Sequence, residues 1–309
     1  MLGGIGLKIL STLLFTLMNA LGRAESATFP TGEIVFFRSW PALLVLIAWL
    51  HWRGEFPGGI ATQRPFGHLL RGFIGSGGMF FGFATLAFLP LADAVAIGFA
   101  TPLIGVALAA WILKERVRAY RWSAVGVGFI GVVVMLYEHL GADPVEGSAR
   151  AIGSTLALIG AVCSAGAMTQ TRRLTQTEQT GAIVFYFSLL TTVLGALSWF
   201  LPVLLPKIAS GQVWLWPPLF DVVRLCTMGI LGGVSQIAMT ESYRRADASV
   251  VAAFDYTSMI WAVMIGYIAF GDLPSRYIVT GAGIVILSGV FVIWREHRLG
   301  LLRGPNSTS

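Results

Sequence analysis

Two segments of this chain repeat one pattern: LADAVAIGFATPLIGVALAAWILKERVRAYRWSAVGVGFIGVVVM (residues 91–135) and RADASVVAAFDYTSMIWAVMIGYIAFGDLPSRYIVTGAGIVILSGVFV (residues 245–292). Matched positions lie about half of the 309-residue chain apart, as expected when two similar halves follow one another. The matched positions are Asp93 with Asp247, Glu115 with Asp272, and the glycines Gly126 and Gly128 with Gly281 and Gly283. The repeat predicts that a working site lies where the two halves meet.

The composition is that of a membrane protein. Hydrophobic residues make up 56% of the chain and charged residues only 12%, whereas about 25% charged residues is usual in soluble domains. Ten apolar runs are near 20 residues, the length that crosses about 30 Å of hydrocarbon. These runs are 5–22, 33–51, 70–89, 93–113, 120–138, 152–170, 181–201, 219–241, 248–270 and 277–294. The predicted fold is therefore an all-α membrane protein with ten transmembrane helices.

Five helices in each half would make the second half enter the membrane in the opposite sense. The turn at Asp93 is then outside and the turn at Asp247 inside, which is an inverted-topology repeat. We therefore predict two inverted five-helix repeats, over 1–140 and 150–295, followed by a tail at 296–309. The alternative is that helices rich in small residues resemble one another by chance.

The basic residues predict the orientation of the chain. Most of the 21 Lys and Arg residues fall on the inner side if the N-terminus is cytoplasmic, which places both termini inside. The net charge of +6 is then a topology signal. It does not indicate a nucleic-acid surface, because the basic residues are scattered over short segments.

Motifs of catalysis and of metal binding are absent from the sequence. There is no Walker-type phosphate loop, no H-E-x-x-H, no G-x-S-x-G and no paired Cys/His ligands. We therefore predict that the protein is not an enzyme and has no catalytic residue, no metal ligand and no cofactor. Without a site for ATP, movement of a solute would be driven by a gradient or be facilitated.

Polar groups inside the predicted helices mark the candidate site, because such groups are costly at membrane depth. The run Phe254–Ser258 (FDYTS) cannot face lipid throughout, and Asp255 within it is estimated to lie near the midplane. The corresponding stretch of the first half contains Thr101 and Pro102, where proline removes a backbone hydrogen bond. Breaks in corresponding helices of inverted repeats indicate a binding site. The candidate substrate-binding or coupling residues are Asp255, Tyr256, Thr257, Ser258, Arg38, Asn19, Thr101, Pro102, Gln236 and Glu241.

Three roles for Asp255 stay open at this point. It is a proton-coupling carboxylate, a direct ligand of a polar or cationic substrate group, or a structural partner of Arg38. Glu241, which precedes Arg244 and Arg245, is better interpreted as part of an interfacial ion pair. The motifs Gly78-x-x-x-Gly82 and Gly229-x-x-x-Gly233 predict close helix packing.

Several motifs carry a resemblance to a known family. They are GEIVFFRS (32–39), HLLRG (68–72), PLADA (90–94), ASVVAAFDYTS (248–258), and the turns KER (114–116) and GDL (271–273), each followed by a glycine-rich helix. Together they resemble the EamA branch of the drug/metabolite transporter superfamily. The closest resemblance is to a subgroup with bacterial riboflavin transporters, S-adenosylmethionine carriers and metallophore exporters. The chain departs from the subgroup pattern at Asn19 and Ala253.

The resemblance implies a carrier in the bacterial inner membrane, with a central cavity between the halves and alternating access. We expect a small organic metabolite as substrate, with riboflavin uptake as the best specific guess. Uptake of S-adenosylmethionine or an amino acid, or export of another metabolite, is the alternative. The alternative of a different class is a non-transporting integral membrane protein. The expected partners are the lipid bilayer, the substrate and, under one role of Asp255, protons; either a monomer or a homodimer would suffice.

Overall fold

The computed structural model describes residues 2–112, 119–140, 144–204, 213–245, 251 and 254–298, and all regular structure in these ranges is helical. The helices are α1 (Leu2–Glu25), α2 (Thr31–Trp52), α3 (Pro65–Leu86), α4 (Leu91–Gly98), α5 (Ala100–Ile112), α6 (Ala119–Leu140), α7 (Pro144–Leu174), α8 (Thr180–Leu197), α9 (Leu201–Leu204), α10 (Leu219–Arg245), α11 (Thr257–Phe270) and α12 (Arg276–Arg298). Predictions that concern Lys114, Glu115, Arg116, Asp247, Ala253 and the end of the tail lie outside the described residues.

Within the described ranges, eight segments are long and apolar enough to cross a membrane, one of them made by α4 and α5 together (Leu91–Leu108). Two shorter apolar segments, Phe254–Phe270 and Arg276–Val292, follow them. Each of the ten apolar runs predicted from the sequence corresponds to one of these segments. The chain is therefore an all-helical, multi-pass membrane protein.

The helices pack mainly against helices from the other half of the chain. Helix α1 packs on α10, α3 on α7, α2 on α8, and α6 on α12. Helix α2 also contacts α10, α3 also contacts α8, and α11 lies against both α1 and α4. The contacts of the two halves correspond. The first segment of the first half (α1) packs on the third segment of the second half (α10), and the first segment of the second half (α7) packs on the third segment of the first half (α3).

Two apolar segments are interrupted where the sequence predicts it. The fourth breaks at Phe99, between α4 and α5, because Pro102 has no N–H to donate to the Gly98 carbonyl oxygen. The ninth contains a 3-10 turn, Phe254–Tyr256, immediately before α11. The rings of Phe99 and Tyr256 pack edge to face with their centroids 5.4 Å apart. The two interruptions therefore lie against each other within the bundle.

Glycines in α3 and α10 allow close contact between helices, as the sequence predicts, with one exception. A Cβ on Gly229 would lie 2.5 Å from the carbonyl oxygen of Phe37, and Gly233 and Gly78 are similarly confined. By contrast, a Cβ on Gly82 would have no atom within 4 Å. Close packing is thus confirmed at three glycines. Gly82 is exposed and has room for a side chain, although its backbone N would lie 3.5 Å from a Cβ on Gly160 of α7.

Candidate functional site

Asp255 forms a buried ion pair with Lys8. The Lys8 Nζ atom on α1 lies 2.5 Å from the Asp255 Oδ1 atom, which belongs to the 3-10 turn before α11. The Lys8 side chain is only 2% exposed, whereas the Asp255 side chain is 28% exposed. In the described part of the chain, Lys8 and not Arg38 is the cation that pairs with Asp255. The carboxylate therefore neutralises a buried ammonium while part of it stays accessible.

Polar contacts around this pair join three helices. The Lys8 ammonium donates to the Tyr243 hydroxyl of α10 at 3.3 Å and lies 4.9 Å from the centroid of that ring. The hydroxyl oxygens of Thr12 on α1 and Thr257 on α11 are 2.8 Å apart, within hydrogen-bond distance. The Ser258 hydroxyl donates to the Asp255 carbonyl oxygen at 2.6 Å. Of the predicted site residues, Asp255, Thr257 and Ser258 thus belong to one network, and Tyr256 packs beside it against Phe99.

Helices α1 and α11 are joined by a second ion pair at their C-terminal ends. Lys8 lies about 9 Å along α1 from its first residue, at the rise of a regular helix. Arg23, near the C-terminal end of α1, is ion-paired with Asp272, which follows α11. The Arg23 guanidinium also lies 4.4 Å from the Phe270 ring centroid. Helices α1 and α11 are therefore parallel, and Asp255 is nearer one end of α1 than its sequence-based midplane position suggests.

Arg38 lies deep in the bundle on α2, away from the Lys8–Asp255 pair. Its side chain is 3% exposed, and its Nε and Nη1 atoms have no hydrogen-bond partner in the described part of the chain. Its guanidinium carbon lies 5.7 Å from the centroid of the Phe187 ring on α8. Arg38 is thus a buried cation held against an aromatic face.

The remaining predicted site residues occupy several places. Glu241 is ion-paired with Arg245 at 3.1 Å and accepts a hydrogen bond from the Thr180 hydroxyl at 2.8 Å, so the predicted ion pair is present. Gln236, one turn before Thr240 on α10, is buried. Asn19, Thr101 and Pro102 are half-buried, as is Glu241.

Three residues around Asp255 are absent from the predicted site residues: Lys8, Thr12 and Tyr243. Lys8 is one of the basic residues on which the predicted orientation rests, and it is the single cation within the apolar run 5–22. Thr12 follows it by four residues, a spacing that puts both side chains on one face of a helix. A lone cation with a hydroxyl one turn later was therefore an available signal for this network.

A second buried acid fixes the segment that leads into α10. Glu33 on α2 is fully buried, and its Oε2 atom accepts a hydrogen bond from the backbone N–H of Leu215 at 3.1 Å. Next to it, the Trp214 indole N–H donates to the Ser198 hydroxyl at 3.1 Å. Glu33 therefore has a structural role in holding this connection against α2 and α8.

Fold and site together define a multi-pass membrane protein with ion-paired and polar groups buried between its helices. The EamA-like transporter family matches the chain twice, over residues 2–137 and 151–295. The chain belongs to this family and is a membrane transporter of the drug/metabolite transporter type.

Known relatives support this classification along nearly the whole chain. The S-adenosylmethionine uptake transporter of Rickettsia prowazekii is 26% identical over 96% of this chain and 94% of that protein. The pseudopaline exporter CntI of Pseudomonas aeruginosa is 28% identical over 92% and 94%. The riboflavin transporter of Vibrio cholerae is 27% identical over 93% and 91%. These names include both uptake and export.

A solved crystal structure shares the fold. It covers 96% of this chain, and 98% of its own chain is matched, with a TM-score of 0.67 and 20% sequence identity.

Proposed function

We propose that this protein is a secondary transporter of a small metabolite that carries both an ammonium and a carboxylate group, of which S-adenosylmethionine is the leading candidate, in a bacterial inner membrane. The observation that carries the proposal is the Lys8–Asp255 pair, in which a partly accessible carboxylate sits at the interrupted ninth segment. Such a pair can exchange its internal partner for the charged group of a solute. The relative named as an S-adenosylmethionine uptake transporter, aligned over nearly the full chain, supports this substrate class.

Alternating access between two inverted five-helix halves, 1–140 and 150–295, is part of the proposal. Two observations support it. Corresponding helices of the two halves make corresponding contacts, and the family model matches each half separately. Inverted repeats allow one half to rock against the other around a fixed site. The distribution of basic residues supports cytoplasmic termini.

The ion pairs at the two ends of α1 and α11 suit such a mechanism. A carrier that opens at one end must separate the helices there while the other end stays closed. Separation at one end would break Lys8–Asp255, and separation at the other would break Arg23–Asp272. Each pair would therefore close one side of the transporter.

In this proposal Asp255 is the coupling carboxylate. Protonation, or a bound ammonium group of the substrate, removes the charge that holds Lys8, and the contact between α1 and α11 loosens. Because Lys8 is almost fully buried, its charge then needs compensation, which links the state of Asp255 to the conformation. Asp255 thus keeps two of its three predicted roles, proton coupling and substrate binding. In the third role, the structural pair, Lys8 takes the place of Arg38.

Counterflow of labelled S-adenosylmethionine in proteoliposomes tests the proposal. Uptake that depends on internal unlabelled substrate, and that is lost in Asp255→Asn, is the expected result. An absence of flux for this compound, for amino acids and for riboflavin would instead favour a non-transporting membrane protein.

Riboflavin uptake is the second candidate, favoured by one specific contact. The rings of Phe99 and Tyr256 meet where the two interrupted segments touch, and aromatic faces bind a flat ring system. Growth rescue of a riboflavin auxotroph by this protein at low riboflavin would support it. Failure of rescue, with the protein present in the membrane, would reject it.

A further inference from the structure

Two buried arginines from different helices lie near one aromatic ring. Arg38 on α2 and Arg71 on α3 are each 3% exposed. Their guanidinium carbons lie 5.7 Å and 4.4 Å from the centroid of the Phe187 ring on α8. The two cations are therefore close neighbours inside the bundle. We call Arg38, Arg71 and Phe187 the arginine pair site.

The partners of these arginines are neutral. The Arg71 Nε atom donates to the Thr171 hydroxyl at 2.7 Å, and its Nη1 atom donates to the Ile183 carbonyl oxygen at 3.5 Å. Among the residues that the structure describes, the Nε and Nη1 atoms of Arg38 have no hydrogen-bond partner. No carboxylate within the described ranges forms an ion pair with either residue. Arg71 is thus held in a fixed orientation, whereas Arg38 has N–H groups that can still donate hydrogen bonds.

Such an arrangement is unfavourable without an anion. Buried charges in a membrane protein are normally paired or face a water-filled path, and two like charges side by side repel each other. The face of the Phe187 ring attracts both guanidiniums, but a cation–π contact compensates only part of the desolvation of a charge. An anionic group between the arginines would satisfy the free donors of Arg38 and reduce the repulsion.

We propose that the arginine pair site binds the carboxylate of the transported metabolite. This inference rests on the proposed function and adds the chemistry by which the substrate is recognised. The planar fork of a guanidinium matches a carboxylate in two parallel hydrogen bonds, which a lysine cannot reproduce. Two guanidinium groups at one aromatic ring would favour a substrate with a carboxylate over an analogue that lacks it.

Helix α10 sets the position of Arg38. A Cβ on Gly232 would lie 3.1 Å from the Nε atom of Arg38 and 2.9 Å from the sulfur of Met18. A side chain at position 232 would therefore push the Arg38 guanidinium, without changing any charge. Gly232→Ala thus tests the geometry of the site independently of its charge.

The experiment compares two ligands that differ by the carboxylate alone. Thermal unfolding of the purified full chain is recorded with S-adenosylmethionine and with decarboxylated S-adenosylmethionine, since ligand binding to the native state raises its apparent stability. The wild type is expected to bind the carboxylate form at least tenfold more tightly. Arg38→Gln, Arg71→Gln and Gly232→Ala are expected to lose most of this preference. Arg53→Gln, which removes an exposed arginine paired with Glu55, is expected to keep it.

Further arms separate this site from the function as a whole. Arg71→Lys keeps the positive charge and replaces Arg71→Gln in the experiment if that variant does not fold. It is expected to keep a reduced preference for the compound with the carboxylate. If the wild type binds neither adenosyl compound, acetate is compared with acetamide, and only acetate should stabilise it. Equal binding, in both pairs, of the compound with the carboxylate and the compound without it would overturn the proposal. Flux of a neutral solute such as riboflavin, unchanged in the arginine variants, would reject this site while transport stands.

Discussion

Lys8 and Asp255 are 247 positions apart in the sequence, yet their charged atoms are 2.5 Å apart in the folded chain. Arg23 and Asp272 repeat the relationship at the other end of the same two helices, α1 and α11. The two pairs differ in burial, because Lys8 is almost completely enclosed while Arg23 and Asp272 are 19% and 24% exposed. The charge of Lys8 therefore depends on its partner far more than the charge of Arg23 does.

Asp255→Asn is expected to abolish gradient-driven flux and to lower the stability of the protein. Removing one member of a buried ion pair leaves an uncompensated charge, which costs about 3–5 kcal/mol. The double variant Lys8→Met with Asp255→Leu should be more stable than Asp255→Asn, although equally inactive. Thermal unfolding and proteoliposome flux of the single and double variants measure this coupling. Additive losses of stability would contradict the pairing.

Arg23→Gln and Asp272→Asn are expected to change transport more than stability. Solvent-exposed ion pairs contribute about 0–1 kcal/mol. Arg23 and Asp272 are both partly exposed, so the melting temperature should fall less than in Asp255→Asn. Loss of the pair should nevertheless alter the rate at which this end opens, and the two single variants and the double variant should then show the same altered rate. Initial rates of counterflow test this, with Arg53→Gln as the control. An unchanged rate in all three variants would mean that the pair does not close one side.

Gly229→Ala is expected to destabilise the protein strongly, whereas Gly82→Ala is not. The new methyl group at position 229 would lie 2.5 Å from the backbone oxygen of Phe37, which cannot move without displacing α2. At position 82 the methyl group meets no atom within 4 Å, and alanine is preferred over glycine in a helix by about 1 kcal/mol. The two melting temperatures, measured in the same detergent, provide the comparison. A similar loss in both variants would contradict the packing of α10 on α2.

Glu178 is expected to make stability depend on pH in the acid range. It lies between α7 and α8, and its Oε1 atom accepts a hydrogen bond from the backbone N–H of Gln63 at 3.1 Å. Burial alone would favour the neutral acid, but hydrogen bonds from Thr62, His68 and the Gln63 N–H outweigh it and hold the pKa of Glu178 below its usual range. The stabilisation is then complete above the unfolded value of about 4.3 and is lost as pH falls through the lower folded value.

Thermal unfolding of Glu178→Gln between pH 7 and pH 3 tests this dependence. The variant should be less stable than the wild type at neutral pH, and the difference should shrink below about pH 4.3. Glu55→Gln is the control, because it removes a carboxylate from the connection between α2 and α3 and leaves Glu178 in place. Parallel curves for Glu178→Gln and the wild type would show that the acid does not hold the connection before α3.

The elements of the fold follow closely from the sequence, because apolar length and proline chemistry act locally. Each predicted apolar run has its helix, and Pro102 interrupts the fourth segment through a hydrogen bond that it cannot make. Glycine spacing was a weaker guide, since Gly229 is confined by α2 while Gly82 faces outward. A spacing of four places two residues on one face of a helix without stating which neighbour that face meets.

The site depends on those neighbours. Asp255, Thr257 and Ser258 could be selected from the sequence because polar groups in succession cannot face lipid. Their partners, and the meeting of Arg38 and Arg71 on Phe187, could not, since each contact joins helices far apart in the chain. By itself the sequence determined the membrane class, the helical segments, their interruptions and the family, all of which arise from residues close together along the chain. Only the tertiary structure decided which charges meet, because in an apolar bundle a buried charge is compensated by whichever side chain the packing of distant helices brings within reach.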